Sequence, residues 1–571
     1  MAESQVPGIS ISSITFSDGT NVQVSPDDVV LVVGPNNAGK SECLRALRQK
    51  LENAGNVSPV LEGFRLQKTG SQDELSSWIE SWAVRRIDSS AADPIYHAHG
   101  HATYLTTARN EWQLYDNAVG GLARWFCNFL SADERLQICN PADNISLGRD
   151  DPYHPIHFLQ RDDQLEIRLS SKFRKAFGAD LIVHRNAGNI VPLHVGDRPE
   201  PAADEDRVSA AYIRRLEKLP TLHTQGDGMR SFAGVLLATS VGRESIMLID
   251  EPEAFLHPPQ ARLLGTTLVQ DRNKKCQLFI ATHSTDVLRG VLDTESPDVR
   301  VIRIQRSGTI NTVRLLSNER IKELWGDPLL RYSNILDGLF HDGVVVCEAD
   351  ADCRFYSAML DATLDATPDD AKRPDLMFTH CGGKARLATV IRALREVDVP
   401  VQTVADFDTL SEEEPLKSII ESLGIEWRAV RADWQLVKSA IDSKKPELNT
   451  DEVRKEIEKL LSSVATLIFP SKTKSEIQKV LRRSSPWAQA KLVGKAFVPS
   501  GDPSKACERL LSKLRAGGLH IVEVGELEGY ARTEGGHGPK WVNAVLARDL
   551  ATDPELENAR KFVMGLAGEQ A

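Results

Sequence analysis

Nowhere in the 571 residues does an apolar run approach the roughly eighteen that a helix needs to cross a bilayer, which excludes a membrane-spanning helix. The opening residues, MAESQVPGIS, have neither a basic nor an apolar segment, and no secretory leader is expected. Paired cysteines are also missing. The eight cysteines (43, 127, 139, 276, 347, 353, 381 and 507) form no C-x-x-C pair, and several sit inside apolar runs, the usage of a reducing cytoplasm. Basic excess is lacking as well: 69 Lys and Arg against 80 Asp and Glu give a net charge of -11. That excludes wholesale coating of nucleic acid and leaves room for a local basic surface. No internal repeat or coiled-coil array is present. What is there is a globular composition, 41% apolar and 26% charged, in a chain too long for one core, so two domains or three are expected.

Apolar, β-branched runs alternate with helix-like segments in two blocks, the βα pattern of a mostly parallel sheet and an α/β fold. The first block has runs at 29–33, 245–249, 277–281 and 299–305, the second at 343–348, 376–380, 399–405, 425–430 and 519–524. A polar, turn-rich connector at 318–339 puts the boundary near 335–342, giving domains over 1–338 and 339–571. Residues 55–220 read as an inserted subdomain of the first, and 432–515, rich in lysine, as a helical insertion in the second. Within the latter, Val453, Ile457, Leu460 and Leu461 share one side of a helix over 450–461.

The run 29–33 leads directly into Gly34-Pro35-Asn36-Asn37-Ala38-Gly39-Lys40-Ser41 and then a helix-forming segment. In such a loop, glycines let backbone N–H groups turn inward around phosphates, Lys40 offers a point charge to the terminal phosphates, and Ser41 can ligate Mg²⁺. Downstream, SIMLIDE ends a buried strand in Asp250, suited to the magnesium shell, and Glu251, suited to orienting or deprotonating water. QLFIATHS puts His283 at the tip of the next strand, where an imidazole can reach a γ-phosphate. Gly226-Asp227-Gly228-Met229-Arg230-Ser231 opens the segment before the catalytic strand. The set resembles the ABC-type ATPases of the chromosome-maintenance and repair group. By that resemblance, Gly226 to Ser231 is the signature loop that covers the nucleotide of a second subunit, although it departs from the usual LSGGQ wording.

In the second block, GVVVCEADADCRFY ends a strand at Glu348 and places Asp352 at a helix start. VQTVADFD ends a strand at Asp406 and Asp408, and the run at 519–524 leads into Gly525-Glu526-Leu527-Glu528. Carboxylates at the C-terminal ends of parallel strands converge on one sheet edge, where hard divalent cations can be held. With the Cys381-Gly382-Gly383-Lys384 turn, this set resembles a Toprim domain. Behind an ABC-type ATPase it resembles the overcoming-lysogenization-defect family of nucleases, which includes effectors of anti-phage defence. The resemblance implies Glu348 as acid/base carboxylate and metal ligand, with Asp352, Asp406, Asp408 and Glu528 as further ligands of Mg²⁺ or Mn²⁺, and Lys540 for transition-state charge. It also implies ATP as cofactor, self-association through the ATPase domain, and a helicase or other defence protein as possible partner. One departure is Ala349, where such families carry glycine.

Between 472 and 495, Lys472, Lys474, Lys479, Arg482, Arg483, Lys491 and Lys495 stand against Glu476 alone, a surface suited to DNA backbone, with Trp487 available for stacking. His97, His99 and His101 would share one strand face; without a fourth ligand they read as an ordinary polar strand rather than zinc. Two functions stay open: an ATP-gated, metal-dependent DNA endonuclease, and an ATP-switched scaffold for DNA or protein whose Toprim domain no longer cuts. A strand-passage enzyme ranks below both, because no tyrosine-bearing winged helix is apparent.

Overall fold

The computed structural model describes the chain apart from residues 1–5, 87–89, 91, 99–100, 147–149, 151, 204, 242–243, 274, 295, 297, 309, 317–325, 327–333, 367–372, 445–449, 465–468, 483–485 and 569–571. Two compact units result, Met1–Asp327 and Pro328–Ala571. Among the described residues, no helix is long and apolar enough to cross a membrane.

In the first unit, β1 (Gly8–Phe16) pairs antiparallel with a short strand at Asn21–Gln23 and with β3 (Leu61–Thr69). β2 (Val29–Val33) is five consecutive buried residues, the signature of a strand covered on both faces. It leads into α1 (Lys40–Glu52). Then come β4 (Cys127–Leu130), α2 (Ala132–Gln137), α3 (Asp227–Val241), β5 (Ile246–Asp250), β6 (Gln277–Ala281), β7 (Val299–Ser307) and β8 (Ile310–Leu316). The main sheet has the order β8-β7-β2-β6-β5-β4, parallel except for β8. Residues 55–220, expected as an insertion, form three small sheets of their own and also extend two others: β3 completes the antiparallel one and β4 forms the edge of the parallel one. The physical reason is pairing. Edge strand β4, CNFL, is short and only partly apolar, and it is specified by its parallel register with β5 rather than by its own pattern. His97 and His101 lie on two paired strands, Ile95–Ala98 and His101–Tyr104, with Ala98 opposite His101, so they do not share a strand face; His99 is outside the described residues.

The second unit is built from β9 (Gly343–Cys347), α4 (Asp350–Asp365), β10 (Leu376–His380), β11 (Val401–Ala405), α5 (Trp427–Asp442), α6 (Thr450–Ser462), α7 (Ser471–Arg482), α8 (Pro486–Val493), α9 (Asp502–Ala516), β12 (Leu519–Ile521) and α10 (Pro539–Leu546). Its sheet is wholly parallel in the order β10-β9-β11-β12. The chain goes one way from β9 and then returns past it to β11. A crevice therefore opens at the C-terminal ends of β9 and β11, the place where open parallel sheets bind ligands. The run 425–430, expected as a strand, instead enters α5. Trp427, Val430, Trp434, Val437 and Ile441 are buried at spacings of three and four, a helical stripe that overrides the local apolar run.

Candidate functional site

The phosphate loop follows from the constraints on its backbone. Gly34 has φ 146, and a Cβ there would stand 2.0 Å from the Ile304 carbonyl oxygen, so no other residue fits. Asn37 adopts φ 62, a left-handed conformation that asparagine tolerates. Asn36 and Asn37 are exposed, while Ala38 is buried. Gly39 caps α1, whose first residue, Lys40, is 6% exposed and donates from Nζ to the carbonyl oxygens of Gly34 (2.9 Å) and Pro35 (2.8 Å). Burial pulls the Lys40 pKa down, against the opposing pull of Glu251, Glu253 and Asp250. Although β6 separates β2 from β5, Ser41 Oγ reaches across to donate to Asp250 Oδ1 at 2.8 Å. Burial holds the Asp250 carboxyl above its usual range.

Glu251 sits in a left-handed conformation, φ 46, with its N–H donating to the Ala281 carbonyl oxygen at 2.8 Å. That brings β5 and β6 together at their ends. His283 Nδ1 lies 3.4 Å from Glu251 Oε1 and 3.3 Å from Glu253 Oε1. Glu253 also accepts from Thr282 Oγ1 (2.8 Å) and the His283 N–H (2.9 Å), and burial raises its pKa. Sequence reasoning passed over Glu253 because a glutamate two residues beyond the Asp250-Glu251 pair carries no signal of its own; only folding aims it at His283. Gly226 precedes α3, and Gly228 lies in its first turn.

In the second unit, strand ends deliver the acids. Glu348 follows β9, and its Oε1 accepts from the Asp406 N–H at 3.2 Å, stitching the ends of β9 and β11 together. Asp352 caps α4, its Oδ2 accepting from the Ala349 N–H at 2.9 Å. Ala349 itself is exposed and extended, φ -135, so its methyl group strains nothing in the backbone. Asp408 is bound through Oδ2 by Lys384 Nζ at 3.3 Å, whereas its Oδ1 is buried without a hydrogen bond. Lys491, read from sequence as part of a DNA surface, instead reaches into the cluster. Its Nζ is 2.8 Å from Asp406 Oδ2 and 3.9 Å from both Asp408 Oδ1 and Glu526 Oε2. Glu526, Glu528 and His537 present ligand atoms within 4.8 Å of one another, and Glu528 Oε1 accepts from the Gly538 N–H at 2.7 Å. Lys384, Lys491, Glu526 and His537 are thus members that sequence reasoning missed. Glu526 and Lys384 had a readable signal, the first in the same acidic turn as Glu528 and the second in the Cys381-Gly382-Gly383-Lys384 turn. Lys540 is exposed in the first turn of α10, and no bond from it to the acids appears among the described residues.

The donor set fits hard divalent cations: clustered carboxylate oxygens, one of them buried without a hydrogen bond. Burial and Asp406 push the Glu348 carboxyl up to about 7; burial pushes Asp352 up to about 6, with Asp406 and Glu528 adding to it. Both pKa values lie above their unfolded counterparts, so the folded unit binds more protons, and stability present at low pH is lost as pH rises through these values. Without divalent ions, the melting temperature of this unit is expected to fall from about pH 4.5 to about pH 7. Added Mg²⁺ should flatten that dependence, as thermal scans at fixed ionic strength would show.

Backbone packing carries Lys491 to its place. Gly525 has φ 114, and a Cβ there would meet the Lys491 carbonyl oxygen at 2.1 Å, so α8 lies directly against the acidic turn. Gly525→Ala is expected to destabilise the unit by roughly 2–4 kcal/mol through collision and backbone strain, read as a lower denaturation midpoint. The rest of the basic segment divides. Lys472 and Lys474 are exposed. Lys495 pairs with Glu508 (3.5 Å) and Glu523 (3.7 Å). Trp487 is only 8% exposed and donates to Asp442 Oδ1 at 2.9 Å, which removes it as a stacking platform because its ring is spent on the core. Arg483 and the side chains of Lys479 and Arg482 lie outside the described residues.

The family match falls in the first unit. Residues 99–289, which hold the GDGMRS segment, Asp250, Glu251 and His283, match the family described as "AAA domain, putative AbiEii toxin, Type IV TA system". The first unit contains an ATPase-type P-loop domain. An uncharacterized protein of Methanocaldococcus jannaschii, MJECL11, is 29% identical over 103 residues, 17% of this chain and 90% of that one. Protein ea59 of Escherichia phage lambda is 32% identical over 98 residues, 17% of this chain and 18% of the phage protein. Among solved structures, the SMC head domain from Thermotoga maritima is similar with a TM-score of 0.29 and 10% identity, covering 55% of this chain and all of that domain (100%).

Proposed function

We propose that the chain is an ATP-controlled, divalent-metal-dependent DNA endonuclease, with nucleotide state in the first unit governing cleavage at the acidic centre of the second. The observation that carries this reading is the convergence of Glu348, Asp352, Asp406, Asp408, Glu526 and Glu528 where β9 and β11 end, in a chain that also holds a P-loop ATPase domain. Glu348, Asp352, Asp406, Asp408 and Glu528 would hold Mg²⁺ or Mn²⁺, which when bound supplies Lewis acidity toward a phosphodiester and an activated water. Glu348, with its pKa near 7, is suited to exchange a proton at neutral pH. Lys384 and Lys491 offset part of the cluster's negative charge. Exposed Lys472 and Lys474 offer charge to a DNA backbone. In the first unit, ATP and Mg²⁺ would engage Lys40, Ser41 and Asp250, with Glu251 and His283 directing water.

The GDGMRS segment would serve the nucleotide of a second copy of the chain, making the working form a dimer or larger. The resemblance to defence nucleases supports an anti-phage role and a defence-system partner. Incubating the purified protein with supercoiled and linear DNA in Mg²⁺, Mn²⁺ or EDTA, with and without ATP, tests the reading. Metal-dependent cleavage that responds to ATP is the expected outcome; metal-independent or absent cleavage sinks it. The second reading, an ATP-switched scaffold, is favoured by one observation: Lys491 already supplies a cation to Asp406. It predicts DNA binding that responds to Lys40→Ala and no cleavage under any metal.

A further inference from the structure

A buried guanidinium is costly unless its N–H groups find acceptors, and that of Arg135 in the first unit is completely buried. Arg135, in α2, is 0% exposed. Its Nε donates to Ser231 Oγ at 3.1 Å, and its Nη1 to the carbonyl oxygens of Asp250 (2.7 Å) and Leu130 (3.4 Å). Nη2 donates to the carbonyl oxygen of Glu251 at 2.9 Å. All four acceptors are neutral, and the charge is balanced from beyond them by the carboxylates of Glu253, Asp250 and Glu251. This fork therefore joins two parts of the ATPase machinery. Ser231 closes the GDGMRS segment, while Asp250 and Glu251 carry the acids placed for magnesium and water.

The elements on either side of the fork are locked to it. Gly234, one turn beyond Ser231, lies so close to α2 that a Cβ would stand 2.2 Å from the Arg135 carbonyl oxygen. Cys139 Sγ donates to the Arg230 carbonyl oxygen at 3.0 Å, and Arg230 Nη2 donates back to the Leu136 carbonyl oxygen at 3.1 Å. Glu251 is held at φ 46, a left-handed conformation that strains a side-chain-bearing residue. Bonds fix both of its backbone groups, N–H to Ala281 and C=O from Arg135.

We propose that Arg135 is a positioning residue that couples the GDGMRS segment to the catalytic carboxylates. When that segment seats on a nucleotide phosphate, its displacement passes through the guanidinium to the backbone of Asp250 and Glu251. Water is therefore directed correctly only in the seated state. The coupling rests on the ATPase reading and deepens it: it makes hydrolysis, rather than nucleotide affinity, answer to the segment.

Two conservative variants of the full chain test this. Ser231→Ala removes the Nε acceptor; Arg135→Lys keeps a charge and loses the fork. Binding of a fluorescent ATP analogue and phosphate release are measured side by side with thermal melts. Each variant is expected to lower kcat about tenfold while the nucleotide Kd stays within about twofold, and the double variant should be no slower than Arg135→Lys alone, because both cut one link. Unchanged kcat in folded single variants, or losses that multiply in the double, overturns the coupling. Where Arg135→Lys does not fold, the kcat-against-Kd split of Ser231→Ala decides alone. A wild type that neither binds nor hydrolyses ATP overturns the ATPase reading instead.

Discussion

Lys40→Ala is expected to reduce kcat/KM for ATP hydrolysis by about 10²–10³-fold and to weaken nucleotide binding. Lys40 Nζ is held over the loop by the Gly34 and Pro35 carbonyl oxygens, at 2.9 and 2.8 Å. On the proposed ATPase reading, these bonds keep the ammonium beside the loop that would take the terminal phosphates. Burial lowers its pKa, and the nearby carboxylates of Glu251, Glu253 and Asp250 hold it up. Titration of a fluorescent ATP analogue and a phosphate-release assay read the two effects separately. A melting curve matched to wild type ensures that loss of activity is not loss of fold, since the substitution leaves two loop carbonyls without their donor. Undiminished hydrolysis would remove the P-loop from the reaction.

Glu348→Ala and Asp406→Ala are expected to abolish metal-dependent DNA cleavage, a loss of about 10³-fold or more, with DNA binding retained. The two residues are paired in the structure: the Asp406 N–H donates to Glu348 Oε1 at 3.2 Å, and burial, with the Asp406 carboxylate adding to it, raises the proton affinity of Glu348. Glu348→Gln separates their roles, because it keeps an acceptor oxygen for that N–H and removes the charge that metal and proton exchange need. Supercoiled-plasmid cleavage in Mg²⁺ and Mn²⁺, with filter binding in EDTA, gives both readouts. Cleavage that survives either alanine variant would show the nuclease assignment to be wrong. Cleavage absent from the wild type, with DNA binding that responds to Lys40→Ala, would leave the scaffold reading standing.

How much of these two sites was legible depended on how local each signal is. GPNNAGKS marks a strand-loop-helix by itself, because Gly34 and Gly39 take positive φ values that glycine accepts most readily, whereas the close approach of Gly34 to Ile304 comes from the packed fold. Glu348, Asp406 and Asp408 were legible because buried strands end at them, and a parallel sheet gathers such ends on one edge. Lys491 was misplaced for the opposite reason. Its neighbours in sequence are basic, so its composition pointed to DNA, while its carboxylate partners come from strand ends more than eighty residues away in one direction and thirty-five in the other. Trp487 likewise advertised an exposed ring until α5 covered it.

Sequence alone marked the glycine-rich loop at 34–41, the buried strand that ends at Asp250 and Glu251, the α/β class of both units, and the carboxylates at strand ends. Each is set by a short-range rule: periodicity, turn sterics or the order of strand and loop. Only the tertiary structure decided that Ser41 meets Asp250 across an intervening strand, that residues 55–220 supply strands to the antiparallel sheet of β1 and the parallel sheet of β2, and that Arg135 joins GDGMRS to the end of the Asp250 strand. It also decided that Lys491 and Lys384 balance the acidic centre. These are pairings between residues far apart in the chain. A buried charge is tolerated only where its partners converge, and convergence is a property of the packed fold that no window of sequence contains.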